Sequence, residues 1–338
     1  MTKSSDLIPG LPEEIALECL TRLHYSTYRV ASRVSKRWRH LLRSREFYYQ
    51  RKLSARTYKA ACFIQSIPLQ SDSKSTGSPS YGVSMLDPIS GAWERVDPVP
   101  DYPDGLPLFC RVTSSEGKIV ILGGWDPVSY EPLSHVFIYD FTTRKWRKGK
   151  NMPEYRSFFA VGELNGRVII AGGHEENKNA LSSAWVYDVT QDEWNELPKM
   201  SQERDECEGV VIGSEFWVVS GYKTDRQGQF ESSAESIELG AREWKRVEDV
   251  WRGSGSPKSS CLGVDKGEIL VSWSGPDMEV KVGTSGVQSG EWTIVSGSSY
   301  QGGPQEFYMM EGQNGKWKKL KVPDEFSGIV QSGCFWEI

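Results

Sequence analysis

An acidic residue is followed by tryptophan six positions later five times in this 338-residue chain: Asp87/Trp93, Asp140/Trp146, Asp188/Trp194, Glu238/Trp244 and Glu311/Trp317. Successive tryptophans lie 53, 48, 50 and 73 residues apart. Gly123-Gly124, Gly172-Gly173 and Ser220-Gly221 stand ahead of three of these pairs at matching distance. A unit near 50 residues cannot bury its apolar face alone, and units of that length that read as strands are the signature of a β-propeller, one blade per unit.

The units read alike. Lys118-Ile119-Val120-Ile121-Leu122 is a strand ending in the glycine pair, His135 to Tyr139 is the next, and Trp146 opens the last. The following unit repeats this with Arg167 to Ala171, Ala184 to Tyr187 and Trp194. Glycine suits places where backbones crowd, and the acid can accept hydrogen bonds from amides of the turn it begins. Tryptophan supplies a large apolar wedge between blades.

The 73-residue gap hides one more unit. Gly290 to Gly297 lines up with Ser214 to Gly221, so Trp292 belongs to a second strand. Cys261 to Lys281 is left as an abbreviated fifth blade, with Glu268 to Trp273 as its clearest strand. The expected ring therefore has six blades, at about 59–97 plus 327–336, 107–150, 156–198, 204–248, 259–281 and 282–321. An innermost strand is expected ten residues after each repeat tryptophan, and the one after Trp317 has no blade to follow it. Ile329 to Phe335 is expected to close the ring on the first blade and remove its exposed edge. Gln70 to Ser80, rich in serine, reads as a flexible loop inside that blade.

The first 58 residues differ in charge, with 12 Lys/Arg against 5 Asp/Glu, which leaves −12 for the remainder. The two parts look built for different partners. Residues 12 to 23 read as an amphipathic helix with Ile15, Cys19, Leu20 and Leu23 on one side. Tyr28, Val30, Ala31 and Val34, then Trp38, Leu41 and Leu42, mark further short helices. Their other faces carry Arg29, Arg33, Lys36, Arg37, Arg39, Arg43 and Arg45, read as a solvated face or as steering toward an acidic partner rather than as a DNA contact. So few residues bury little surface, and the apolar face is expected to need another protein. The six cysteines are scattered without metal-ligand spacing, and no stretch is long and apolar enough for a membrane span. A soluble chain of the cytoplasm or nucleus is expected, with no metal and no cofactor; His174 beside Glu175 and Glu176 reads as a solvated loop histidine.

Leu11-Pro12-Glu13-Glu14-Ile15, Cys19 to Leu23, Val34 to Arg39 and Leu42 to Phe47 resemble an F-box, and the repeats resemble kelch repeats over roughly residues 59 to 338. Together they are similar to plant F-box proteins with kelch repeats, implying a small three-helix F-box (7–52) ahead of a mainly β, six-bladed kelch β-propeller (59–338). His24 and Ser35 depart from the residues common in the family. The resemblance implies that Leu11, Pro12, Ile15, Leu20, Leu23, Val34, Trp38 and Leu42 form the docking face for a Skp1-like adaptor, and through it cullin, or the core that shapes that face. It also implies that Arg156 and Arg204, at inner-strand starts, and Trp125, His174 and Tyr222, directly after the glycines, hold a protein substrate. Pro107 takes the arginine's place in the second blade, and Arg111 falls mid-strand. The implied function is that of a non-catalytic substrate receptor of a ubiquitin ligase, marking a target for proteasomal degradation. Some relatives are associated with turnover of phenylalanine ammonia-lyase or cytokinin response regulators. The alternatives are a kelch-propeller enzyme or specifier protein, for which the sequence shows no nucleophile-base pair, and a filament-bundling scaffold, which leaves the amino-terminal helices unexplained.

Overall fold

The computed structural model describes residues 6–67, 79–252, 255–257, 262–265, 268–271, 282–289, 291–312 and 315–338. Four short helices come first: α1 (Glu13–Thr21), α2 (Tyr28–Ala31), α3 (Lys36–Leu42) and α4 (Arg45–Leu53), with a 3-10 turn at Tyr25–Thr27. The three helices expected are thus four. The division arises because Ser44 stops α3 and starts α4, its hydroxyl accepting the Phe47 amide at 3.1 Å. Ser35 does the same for α3, accepting from the Trp38 amide at 3.0 Å, so this departure from the family supplies an N-cap. No helix among the described residues is long and apolar enough to cross a membrane.

Strands follow in antiparallel sheets. The second blade is β4 (Arg111–Ser115), β5 (Lys118–Leu122), β6 (Val136–Asp140) and β7 (Lys145–Lys148). The third is β8 (Ala160–Leu164), β9 (Arg167–Ala171), β10 (Ala184–Asp188) and β11 (Glu193–Leu197). The fourth is β12 (Glu208–Ile212), β13 (Glu215–Val219), β14 (Ala234–Glu238) and β15 (Lys245–Val247). A two-stranded ladder, β16 (Leu262–Asp265) with β17 (Glu268–Val271), precedes a last sheet of β18 (Val282–Gln288), β19 (Trp292–Ser298), β20 (Glu306–Glu311) and β21 (Lys318–Lys319). Trp292 does begin a second strand. The first blade joins β1 (Lys59–Ser66), β2 (Tyr81–Leu86) and β3 (Trp93–Arg95) to β22 (Val330–Glu337), which pairs antiparallel with β1 and closes the ring.

The described residues therefore give five four-stranded blades and one two-stranded ladder, where six blades are expected. β16 lies beside β12 on one side and β18 on the other, the place of an inner strand. Most of Cys261 to Lys281, and residues 70–78 of the expected loop, lie outside the described residues.

Each recurring residue has a local task. Asp87, Asp140 and Asp188 accept amides two residues on, from Ile89 at 2.8 Å, Thr142 at 2.8 Å and Thr190 at 2.9 Å, fixing the turn into the outer strand. The indole N–H groups of Trp146, Trp194 and Trp244 reach back to carbonyls of Asp97, Lys150 and Pro198, at 2.7, 2.9 and 2.6 Å, so each wedge also ties its blade to the one before. Gly172 and Gly173 have φ of +65° and +80°. A Cβ there would lie 2.5 Å from the Arg204 carbonyl oxygen and 2.3 Å from that of Ser157, so close backbone approach as well as φ requires glycine.

The helices sit on the ring. Tyr28, Leu42 and Phe47 share a continuous apolar core with Phe141 of blade two and Trp336 of the closing strand. Tyr25 packs edge-on to Trp336 at 5.2 Å between ring centres. Part of the apolar helix surface is thus covered by the chain's own ring, where the sequence reading assigned it to another protein. Two of the basic residues have the same use: Arg43 pairs with Asp140 at 2.9 Å, and Arg45 with Glu116 and, at 3.5 Å, Asp188. Repeat aspartates that cap turns thus also receive the helices.

Candidate functional site

Glu116 and Gly117 lie in the β4–β5 hairpin, and Asp140 and Thr142 in the β6–β7 turn, so the helices cover that end of the ring. In an antiparallel blade the loop before the inner strand and the loop after the second strand emerge at the other end. There the residue after each arginine position bridges to the residue after each glycine: Leu108 to Trp125, Ser157 to His174, and Asp205 to Tyr222. The three blades present the same two-loop unit with different side chains.

Arg156 and Arg204 do not reach the surface. Both side chains are fully buried. Arg204 donates to the Ser220 and Ser233 carbonyls at 2.8 and 3.0 Å, to the Ser233 hydroxyl at 2.8 Å, and to Glu235 at 3.1 Å. Arg156 does the same with Gly172, Ser183 and Glu154. The Gly173 amide in turn donates to the Arg204 carbonyl of the next blade at 2.8 Å. Each arginine thus holds loop ends of its own blade by its side chain and the preceding blade by its backbone. The expected direct contact with substrate is corrected on this point: the guanidinium turns inward to donate to the Gly172 or Ser220 carbonyl and adds a second donor at Ser183 or Ser233, which already accepts a backbone amide. Burial pushes the Arg156 guanidinium down to about 10, so its charge persists at neutral pH.

His174 is buried as well. Its Nε2 lies 2.7 Å from the Ser157 hydroxyl and its Nδ1 2.8 Å from Asp205, while the Trp125 indole donates to the Ser157 hydroxyl at 2.9 Å. The solvated histidine expected from the sequence is instead the middle of a four-residue row crossing three blades. The row also contains the nucleophile-base pair that sequence spacing did not reveal. Its arrangement is structural: Ser157 is fully buried, its oxygen is occupied by the Trp125 N–H, and the Ser157 amide donates to the His174 carbonyl at 3.2 Å rather than facing a developing oxyanion. One proton order satisfies every member: indole to serine, serine to Nε2, Nδ1–H to aspartate.

Above this row lies the surface that the sequence reading missed. Two residues after each arginine position stand Phe109, Phe158 and Glu206, all in left-handed backbone conformation, with φ of 58°, 56° and 51°. Phe109 is 38% exposed. Its ring lies 4.7 Å from that of Phe158, and both meet Trp125 edge-on. Phe158 stacks on His174 at 5.4 Å. Glu206 accepts from the Tyr222 hydroxyl at 3.3 Å, and Tyr222 is itself buried. Equal spacing from the arginine was the available signal. Below, a channel of about 480 Å³ runs between the inner strands, spanned by the Arg111–Glu208 ion pair. Among the described residues no group of three or more His, Cys, Asp or Glu is arranged to hold a metal.

At the other end, the eight expected docking residues divide. Leu11, Ile15 and Val34 are exposed, by 37%, 50% and 62%, as is Pro12, and Val30 joins them. Leu20 and Leu42 are buried core. Leu23 and Trp38 are half-buried, with the Trp38 indole donating to the Leu7 carbonyl at 2.7 Å.

Comparison with known proteins agrees with both ends. The F-box domain family matches residues 8–50, and the Kelch motif matches 108–153 and 155–201. Arabidopsis thaliana F-box/kelch-repeat proteins At1g80440 and At1g15670 are each 35% identical over 98% of this chain and the whole of their own length. F-box/kelch-repeat protein SKIP20 of the same plant is 36% identical over 73% of this chain and 67% of its own. The chain belongs to the F-box/kelch-repeat proteins. Within this F-box/kelch-repeat protein the matched kelch segments are blades two and three, where the glycine pairs, turn aspartates and wedge tryptophans are all present. Those blades also carry the aromatic tier and most of the buried polar row.

Proposed function

We propose that this F-box/kelch-repeat protein is the substrate-recognition subunit of a Skp1-cullin-F-box ubiquitin ligase, capturing a protein for ubiquitination and proteasomal degradation. The carrying observation is the set of exposed aliphatic residues Leu11, Pro12, Ile15, Val30 and Val34, on α1, α2 and the segments beside them, in a helical domain whose core is shared with the ring. A patch of this kind on a small domain already packed against the ring is left for a partner. Skp1 would bind there, and Leu20, Leu23, Trp38 and Leu42 would shape the patch from beneath. The target would lie on the loop face, on Trp125 and its aromatic neighbours, with His174, Tyr222, Arg156 and Arg204 holding that face rigid from below. The contribution is tethering, which raises the local concentration of a target lysine near the recruited conjugating enzyme. Phenylalanine ammonia-lyase and the cytokinin response regulators are the targets nominated by family resemblance. The two-stranded ladder between β12 and β18 is read as the abbreviated blade of a six-bladed ring.

The test is binding of the full chain to a purified Skp1-like adaptor, with Ile15→Asp combined with Val34→Asp. Both sites are exposed, so folding should be retained; the variant should lose at least about 100-fold in affinity, since two charges would enter an apolar interface. Undiminished binding by the folded variant would place the adaptor elsewhere. Deleting residues 1–50 is a poor substitute, because it would strip helices from a core shared with Phe141 and Trp336.

A further inference from the structure

Resting on the reading of the loop face as the target-binding end, we infer the chemistry of what it takes: a basic peptide segment, an arginine or lysine of which lies on the aromatic tier of Phe109, Phe158 and Trp125. Two observations meet here. The first is charge. The loops of blades two to four on this face, residues 124–135, 153–158, 173–183, 202–206 and 221–233, contain ten carboxylates and five basic side chains. Two of the five, Arg156 and Arg204, are buried and committed to carbonyls, and of the ten Asp205 is buried against His174 and Glu154 is paired with Arg156, which leaves eight carboxylates against three basic side chains. Glu131, Glu176 and Asp225 are exposed on these loops, and Glu154, Glu203 and Glu206 partly so.

The second is an occupant already in place. The Lys178 ammonium lies 5.8 Å from the Trp125 ring centre, within cation–π range. It sits on a loop residue with φ of 61° and is itself exposed. The molecule's own cation thus marks where a ligand cation would rest, and competes with it. Aromatic rings attract cations through their faces, and an acidic rim raises the local concentration of a basic segment before contact. An acidic or phosphorylated segment would meet repulsion from the same rim, since the two arginines that could have received it point inward.

The experiment uses the full chain and labelled twelve-residue peptides of alternating glycine with arginine, lysine or aspartate, followed by fluorescence anisotropy at about 50 mM salt. The arginine peptide should bind, more weakly as salt rises, and the aspartate peptide should not. Phe158→Ala and Glu206→Gln should each weaken binding about threefold to tenfold, and Lys178→Ala should strengthen it severalfold. Phe109→Ala, at the most exposed ring of the tier, serves if Phe158→Ala does not fold. Equal binding of the arginine and aspartate peptides overturns the inference, as does arginine binding that is indifferent to the ring variants or weakened by Lys178→Ala. Adaptor binding measured on the same samples separates the two readings. Its retention without peptide binding sinks only the ligand class, and its loss in the unaltered chain sinks the receptor reading.

Discussion

The two ends of this ring use opposite means to present a surface. At the F-box end, aliphatic side chains stand out from short helices and the turns beside them, and many charges pair at the surface: Arg37 with Glu13, and Glu18 with Arg22 and Arg56. At the loop end, polar groups are taken inside. Arg204 with Glu235, and His174 with Ser157 and Asp205, are buried, the histidine beneath the Phe158 ring. Helices carry their own backbone hydrogen bonds, so their side chains are free to offer an apolar patch. Loops do not, and a rigid loop face must spend buried side chains on backbone carbonyls.

The difference is open to measurement, and the largest effect should come from the loop end. Arg204→Ala leaves Glu235 buried with its bond from the Ser201 amide at 2.7 Å, takes the guanidinium from the Ser220 carbonyl, and leaves the Ser233 carbonyl with the Ser220 amide alone. It should cost about 3 to 5 kcal/mol in urea unfolding. Replacing both partners, Arg204→Met with Glu235→Leu, should recover most of that loss. At the F-box end Arg37→Ala, which breaks an exposed pair, should change stability by no more than about 0.5 kcal/mol. Equal losses from Arg204→Ala and Arg37→Ala would erase the distinction.

A smaller effect is expected for the polar row. His174→Phe removes the partner of both Ser157 and Asp205 and should cost about 1 to 3 kcal/mol by thermal or urea unfolding. Ser157→Ala should cost about 1 kcal/mol, and neither variant should change any ester-hydrolysing background, because the row is a strut. The smallest effect is one of pH. The Arg56 guanidinium, followed by Arg22, holds Glu18 down at about 2, below its ordinary 4.5. A depressed carboxyl contributes its stability above the ordinary value and loses it as pH falls through the folded one. The contact of α1 with Arg56 should therefore persist at pH 4.5 and fade toward pH 2. Nuclear magnetic resonance titration of the Glu18 side chain checks this, and Glu18→Gln should flatten the change.

What was legible in the sequence was what each unit does by itself. Asp140, Trp146 and Gly123-Gly124 act through their own turn, their own wedge and a close approach that blades two to four share, so spacing alone exposed them. The pairing of the last strand with the first blade followed from counting strands. The direction of Arg156 was not legible, because the same spacing serves a guanidinium facing out to a ligand or in to Gly172 and Ser183. The row of Ser157, His174 and Asp205 was hidden because its members are 17 and 31 residues apart on two blades, with no local period. Phe109 and Phe158 were within reach, two positions beyond the arginine site, once that site was taken as the reference. The seat of Arg43 and Arg45 on repeat aspartates depended on how the helices pack against the ring, which neither segment shows alone.

The claim that the two ends work separately is tested most directly by titrating the labelled glycine-arginine peptide into the full chain, free and saturated with a Skp1-like adaptor. Opposite faces predict a peptide affinity unchanged within about twofold and a ternary complex. Displacement of the peptide by the adaptor would contradict the account, since it would put both partners on one end of the ring.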